Sequence, residues 1–194
     1  MRESGATTAS DTTVMLEVSN GDLPQLGVLF DRHHRQLYAY FVRMTGSPAI
    51  SEDLVQEVFL RILKYRKTFR PESPFTTWMY QIARNARIDD ARKRVRDCLL
   101  DEAQLDSPGP AIEPVDAPRR QEAELVRRAL ADLPAEKREL IVMARFQGLR
   151  HKEIGRVLGC DPGAVKVRVF RAIQELRRNY LRMTGEKVLW NAHR

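Results

Sequence analysis

Between Asp97 and Pro118 the chain carries six acids (Asp97, Asp101, Glu102, Asp106, Glu113, Asp116), no Lys or Arg, and prolines at 108, 110, 114 and 118. Proline removes a backbone donor and pushes the preceding residue out of the helical region, so closely spaced prolines leave no regular element. The stretch shows neither helical nor strand period. It reads as a linker that divides the 194-residue chain into two small modules, at 21–96 and 119–182. Flanking them are a Ser/Thr-rich lead-in at 1–20, expected to be disordered, and a tail at 183–194 to which the sequence assigns no role. The net charge is +7 although the linker is acidic, so both modules are more basic than the average and favour an anionic partner.

Both modules have helical period only. Upstream, Leu26, Phe30, Leu37, Phe41 and Met44 recur at helical spacings, with Pro24 tolerated in the first turn. Gly46-Ser-Pro48 ends that helix. Ser51 is predicted to cap the next, with Glu52 and Asp53 in its positive first turn and Val55, Val58, Phe59 and Ile62 as its inward stripe. After the break at 70–74, Ser73-Pro74 suits the start of a third helix whose inward face is Phe75, Trp78, Met79, Ile82 and Ala86. Downstream the apolar pattern gives four helices, the last entered through Asp161-Pro162, a cap followed by a residue with a helical φ. The expected fold class is all-α: two small helical domains joined by a flexible acidic linker, the second a four-helix module with a helix-turn-helix.

Composition excludes several classes. No apolar run approaches the roughly 20 residues that span a bilayer, and the lead-in lacks a signal-peptide apolar core. Cys98 and Cys160 lie far apart without CxxC spacing, so neither zinc nor a disulfide is expected. Two reduced thiols suit a cytoplasmic protein. His33 and His34 point to different helix faces, and His151 and His193 are isolated. There is no phosphate-cradling Gly-rich loop, GxSxG or HExxH. Asp89-Asp90 reads as charge balance among arginines. No enzyme, cofactor or metal is expected.

Three surfaces carry what chemistry the chain has. Near the end, a short helix with Ile154 and Leu158 inward, a turn at 159–161 and a longer helix match a helix-turn-helix. The second helix offers Gly163, Lys166, Val167, Phe170 and Arg171 outward, with Arg168 at the flank. Lys and Arg suit phosphates or guanine edges, Val and Phe a thymine methyl, and the small residues at 163 and 164 permit close approach to a groove. In the first module, Asn85 and the basic run at 92–94 end the third helix and suit phosphates or base edges. Trp78 and Tyr80 suit either base stacking or the core. Asp53, Gln56 and Glu57 share one helix face at i, i+3, i+4, flanked by Leu54 and Leu60 as apolar residues leaning outward. That face fits either a protein contact or plain solvent.

Asp53-Leu-Val-Gln-Glu-Val-Phe59, the run from Phe75 to Asp89, Leu130-Ala-Asp-Leu-Pro-Ala-Glu-Lys-Arg-Glu-Leu140 and the helix-turn-helix occur in this order. Together they resemble the bacterial RNA polymerase sigma factors of the extracytoplasmic-function (ECF) subgroup, across about residues 22–97 and 119–182. The resemblance implies a factor that binds core RNA polymerase, through its β′ clamp and β subunits, and recognises the −35 and −10 elements of promoter DNA. Asp53, Leu54, Gln56 and Glu57 would contact the clamp. The segment from Lys67 through Phe69 to Phe75 would capture a flipped −10 base, and Asn85, Arg92 and Lys93 would follow that strand. Gly163, Lys166, Val167, Arg168, Phe170 and Arg171 would face the −35 groove. The linker would thread toward the RNA exit path, and an anti-sigma factor would restrain the protein. Two positions depart from the family pattern: Gly155, where Ala is common and where Gly should loosen the helix, and Val167, in place of a small polar residue. The rival reading is a helix-turn-helix regulator with an N-terminal sensing or dimerisation domain, which has no need of the first module's two surfaces.

Overall fold

The computed structural model describes residues 9–98 and 117–185. Among them every regular element is helical: α1 (Asp11–Asn20), α2 (Gln25–Thr45), α3 (Pro48–Tyr65), a 3-10 turn (Arg66–Thr68) and α4 (Phe75–Cys98). The C-terminal half adds α5 (Ala117–Ala131), α6 (Ala135–Ile141) with a π-helical continuation (Val142–Phe146), α7 (His151–Leu158) and α8 (Pro162–Thr184). Most of the expected linker, and the tail beyond Gly185, lie outside the described residues.

The lead-in contains a helix where disorder was expected. Ser10 stays extended and its Oγ accepts from Thr13 N at 3.1 Å, capping α1. Gly21, at φ 115°, closes the other end in the left-handed region, which costs glycine nothing. Val14, Met15 and Val18 fall at i, i+1 and i+4 and are buried against the 3-10 turn and α4. Burial of such side chains stabilises by about 1.5–3 kcal/mol each. That stripe is short and lies among Ser and Thr, which masked it.

Two helix starts follow one rule. Asp161 caps α8, its Oδ1 accepting from Gly163 N at 2.7 Å and Ala164 N at 3.3 Å, with Pro162 at the first helical position. Ser47-Pro48 repeats that pairing, Ser47 Oγ accepting from Ile50 N at 3.4 Å. The expected cap, Ser51, instead lies inside α3 and is fully buried. Pro48 cannot continue α2 but is preorganised to begin α3, so the helix starts four residues earlier than a cap at Ser51 would give.

The described residues form two compact units, the first running to Tyr38 and resuming at Ser51, the second holding Ala39–Ile50 with the C-terminal helices. The first buries Leu29, Leu37, Val58, Ile62, Phe75 and Met79 among others. Of the residues expected inward on α2, Phe30 is instead half-exposed, stacked on His34 (4.8 Å) and edge-on to Phe59 (4.9 Å). In the second unit α8 packs on α5, α6 and α7 around Leu140, Ile141, Met143, Ile154, Val165 and Val169. The carboxylate of Glu139, buried there, accepts from Tyr40 Oη at 2.8 Å, and Arg138 donates to the carbonyls of Leu130, Leu133 and Met44.

Candidate nucleic-acid and polymerase interfaces

Each surface is built from a helix whose opposite side is core. On α3, Asp53 and Gln56 are exposed and Glu57 is half-buried. Glu57 Oε1 accepts from Arg61 Nε at 2.6 Å, the i,i+4 pairing their spacing allows, and Arg61 Nη1 donates to Asp89 Oδ2 on α4 at 2.7 Å. Leu54 does not join this face. It is 3% exposed, whereas Leu60 is 62% exposed. The spacing explains the correction: Leu54, Val58 and Ile62 recur every four residues along the buried stripe, and Leu60 lies between the last two, on the opposite side. The apolar member of the face is therefore Leu60.

The second surface follows the 3-10 turn into α4. Lys67 is exposed on the turn, and Asn85, Arg92 and Lys93 are exposed along α4. Phe69 and Phe75, placed by the resemblance in the segment that captures a base, are both buried, Phe75 on the inward face where its spacing puts it. Their rings support Trp78 from behind, with Phe69–Trp78 centroids at 5.3 Å and Phe75–Trp78 at 6.3 Å. Trp78 is half-buried, inward on one edge as its spacing predicts and open on the other. Tyr80 is 2% exposed, and burial pushes its phenol well above the usual range, so it cannot stack a base. Trp78, Tyr65, Asn85, Arg92, Arg61 and Asp89 are among the residues lining an open groove of about 580 Å³ between the end of α3 and α4. Tyr65, 43% exposed, escaped sequence reasoning. As an aromatic at a helix end beside Lys64 it had no partner in the apolar period, and that was the only available signal. Asp90 pairs with Arg94 at 2.8 Å, so both acids at 89 and 90 balance arginines, as expected.

The third surface is the outer side of α8. Gly163, Lys166, Val167, Phe170 and Arg171 are all exposed, Phe170 at 63%. Arg168 is drawn to the flank, with Nη1 3.8 Å from Cys160 Sγ and Nη2 3.7 Å from Glu136. Gly159, at φ 67°, turns the chain between α7 and α8. Gly155 does not loosen α7; it makes the turn possible. A Cβ there would stand 2.7 Å from the carbonyl oxygen of Cys160, and the Cys160 amide already donates to Gly155 O at 2.9 Å. The opposing atom is backbone, so the turn would have to shift. Gly155→Ala is expected to destabilise the second unit by about 1–3 kcal/mol despite alanine's higher helix propensity, measured by thermal denaturation.

The fold and these surfaces define a class: an all-helical protein that presents a helix-turn-helix, a second basic helix with an aromatic groove, and an exposed polar helix face with one apolar member. The comparisons narrow it. Residues 29–97 match the Sigma-70 region 2 family and residues 123–176 match Sigma-70, region 4. The RNA polymerase sigma factor CarQ of Myxococcus xanthus is 32% identical over 153 residues, covering 77% of this chain and 85% of the relative. The ECF RNA polymerase sigma factor SigF of Caulobacter vibrioides is 37% identical over 152 residues, covering 77% and 82%. Among solved structures, the sigma factor RpoE of Bartonella quintana, in co-crystals with the anti-sigma factor NepR, is 26% identical with a TM-score of 0.67, covering 81% of this chain and 96% of that one. The chain belongs to the sigma-70 family and is an ECF RNA polymerase sigma factor. Sigma factors are transcription initiation factors, and the helix-turn-helix regulator reading is not favoured. Among the described residues no helix is long and apolar enough to cross a membrane.

Proposed function

We propose that this sigma factor couples polymerase binding to strand capture within its first unit and reads duplex DNA with its second. Asp53, Gln56 and Glu57, with Leu60, dock on the β′ clamp of core RNA polymerase. Lys67, Trp78, Asn85, Arg92 and Lys93 hold the −10 non-template strand, with Phe69 and Phe75 supporting Trp78 from beneath. Gly163, Lys166, Val167, Phe170 and Arg171 enter the −35 major groove, and Arg168 positions the turn. The observation that carries this reading is Arg61, which binds Glu57 on the docking face at 2.6 Å and Asp89 beside the strand groove at 2.7 Å. One guanidinium bridges the two faces.

Strand opening follows from differential binding. Extruding a base costs a few kcal/mol, while stacking on an aromatic returns about 1–3 kcal/mol per base. Phosphate contacts from Lys67, Arg92 and Lys93 add a salt-dependent share. A protein that holds only the opened strand in this way favours the open form. The protein contributes binding and no chemistry of its own, and acts in the cytoplasm. Residues 21–96 and 119–182 serve as the two functional modules, with the acidic segment as their tether. An anti-sigma factor restrains it, a reading supported by the structural relative crystallised with one.

Run-off transcription tests the proposal. Core polymerase with this protein is expected to initiate at discrete sites on genomic templates that core alone does not use.

A further inference from the structure

Helix α1 precedes the residues matched by the region 2 family, yet it packs on the 3-10 turn that presents Lys67 and on α4, the helix that carries Trp78. Its attachment is specific. Asp11 Oδ1 accepts from Arg32 Nη1 at 2.8 Å, and Asp11 Oδ2 lies 2.8 Å from His33 Nε2. Arg32 also donates to the carbonyl of Ala9 at 2.8 Å, just before the helix. His33 is 6% exposed, and its ring centroid lies 5.4 Å from that of Phe75. Phase by phase the contacts run outward: Asp11 fixes His33, His33 abuts Phe75, and Phe75 and Phe69 carry Trp78. Val14, Met15 and Val18 meanwhile form the buried side of α1, toward the turn and α4.

We infer that α1 is a positioning element for the −10 strand site, with Asp11 and His33 as positioning residues that set the Phe69–Phe75–Trp78 platform and the Lys67 turn. The inference rests on the reading of that groove as the −10 site. Aromatic stacking falls off steeply with ring placement, so a brace that fixes the platform acts on strand affinity without touching the strand. None of the contacts involves the α3 docking face (Asp53, Gln56, Leu60) or the outer face of α8, so the effect should be confined to strand binding.

The test uses the holoenzyme formed with purified core polymerase and a fluorescent single-stranded oligodeoxynucleotide carrying the non-template −10 sequence of a promoter mapped by run-off transcription. Asp11→Ala is expected to weaken strand binding roughly three- to thirtyfold, the range of coupling carried through packed side chains. Co-purification with core and binding of a −35 duplex should stay at wild-type levels. Asp11→Asn, which keeps hydrogen-bonding groups toward both Arg32 and His33, should recover most of the loss. Trp78→Ala and Lys67→Ala serve as the controls on the groove itself. If they weaken strand binding while Asp11→Ala does not, the role of α1 is refuted and the groove reading stands. If they leave strand binding unchanged, the groove reading fails and the inference falls with it. An Asp11→Ala protein that loses strand, core and −35 binding in step would show α1 to be a fold-stabilising helix only, which also overturns the inference.

Discussion

Lys166→Ala with Arg171→Ala is expected to weaken binding to −35 duplex DNA by roughly thirtyfold or more, each contact being worth about 1–3 kcal/mol. Both side chains are exposed on the outer side of α8 and lie five residues apart, near enough on the helix to address neighbouring positions of one groove. Among the described residues neither appears in an ion pair, unlike Arg168, which is 3.7 Å from Glu136. The fold should therefore survive the double substitution, and the loss should appear as reduced duplex affinity with an unchanged melting temperature. The salt dependence separates the two roles: removing a phosphate contact lowers the salt slope by about one, whereas removing a base contact relaxes sequence preference. Electrophoretic mobility shifts across a salt series resolve both. Wild-type affinity in the double variant would remove α8 from −35 recognition.

Leu60→Asp should abolish co-purification with core RNA polymerase, while Leu54→Ala should damage the fold. The two leucines look equivalent in the sequence, six residues apart beside the same acids, but one is 62% exposed and the other 3%. An exposed apolar side chain ringed by Asp53, Gln56 and Glu57 has the makeup of a binding hot spot, where a truncation costs 2 kcal/mol or more, roughly thirtyfold in affinity. A buried charge in its place would be harsher still. Leu54→Ala instead leaves a cavity costing about 2–5 kcal/mol of stability. Pull-down against core polymerase, paired with thermal denaturation, distinguishes these results. Leu60→Asp holoenzyme that assembles normally would place the polymerase contact elsewhere.

Much of this was legible in the residues because helix period and cap chemistry are local. Asp161-Pro162 announces α8 without any knowledge of its neighbours, and Val55, Val58, Phe59 and Ile62 announce the buried side of α3. Most of the failures, Leu54 excepted, share a physical cause: they depend on what lies opposite a residue. Phe69 is aromatic in a loop, where exposure and burial are equally compatible with the pattern, and only its packing against Trp78 decides, whereas the helical spacing of Phe75 already puts it inside. Gly155 looked like a propensity defect, and its purpose becomes visible once the Cys160 carbonyl is placed 2.7 Å from the missing Cβ. Leu54 was assigned to the surface with its polar neighbours although its spacing to Val58 and Ile62 already put it inside. Helix α1 escaped because its three buried apolar residues, set among Ser, Thr and the exposed Leu16, give a weak periodic signal, and its burial is supplied by elements more than forty residues away.

The tethering of the docking face to the strand groove through Glu57, Arg61 and Asp89 gives the account its central claim: polymerase bound on α3 holds the groove of α4 where the promoter must open. Run-off transcription with purified core polymerase, this protein and linear genomic templates measures that claim most directly. The account predicts discrete transcripts whose start sites share common −35 and −10 sequences and that disappear when the protein is omitted. An active core that, with this protein added, yields no start site beyond those of core alone would contradict it.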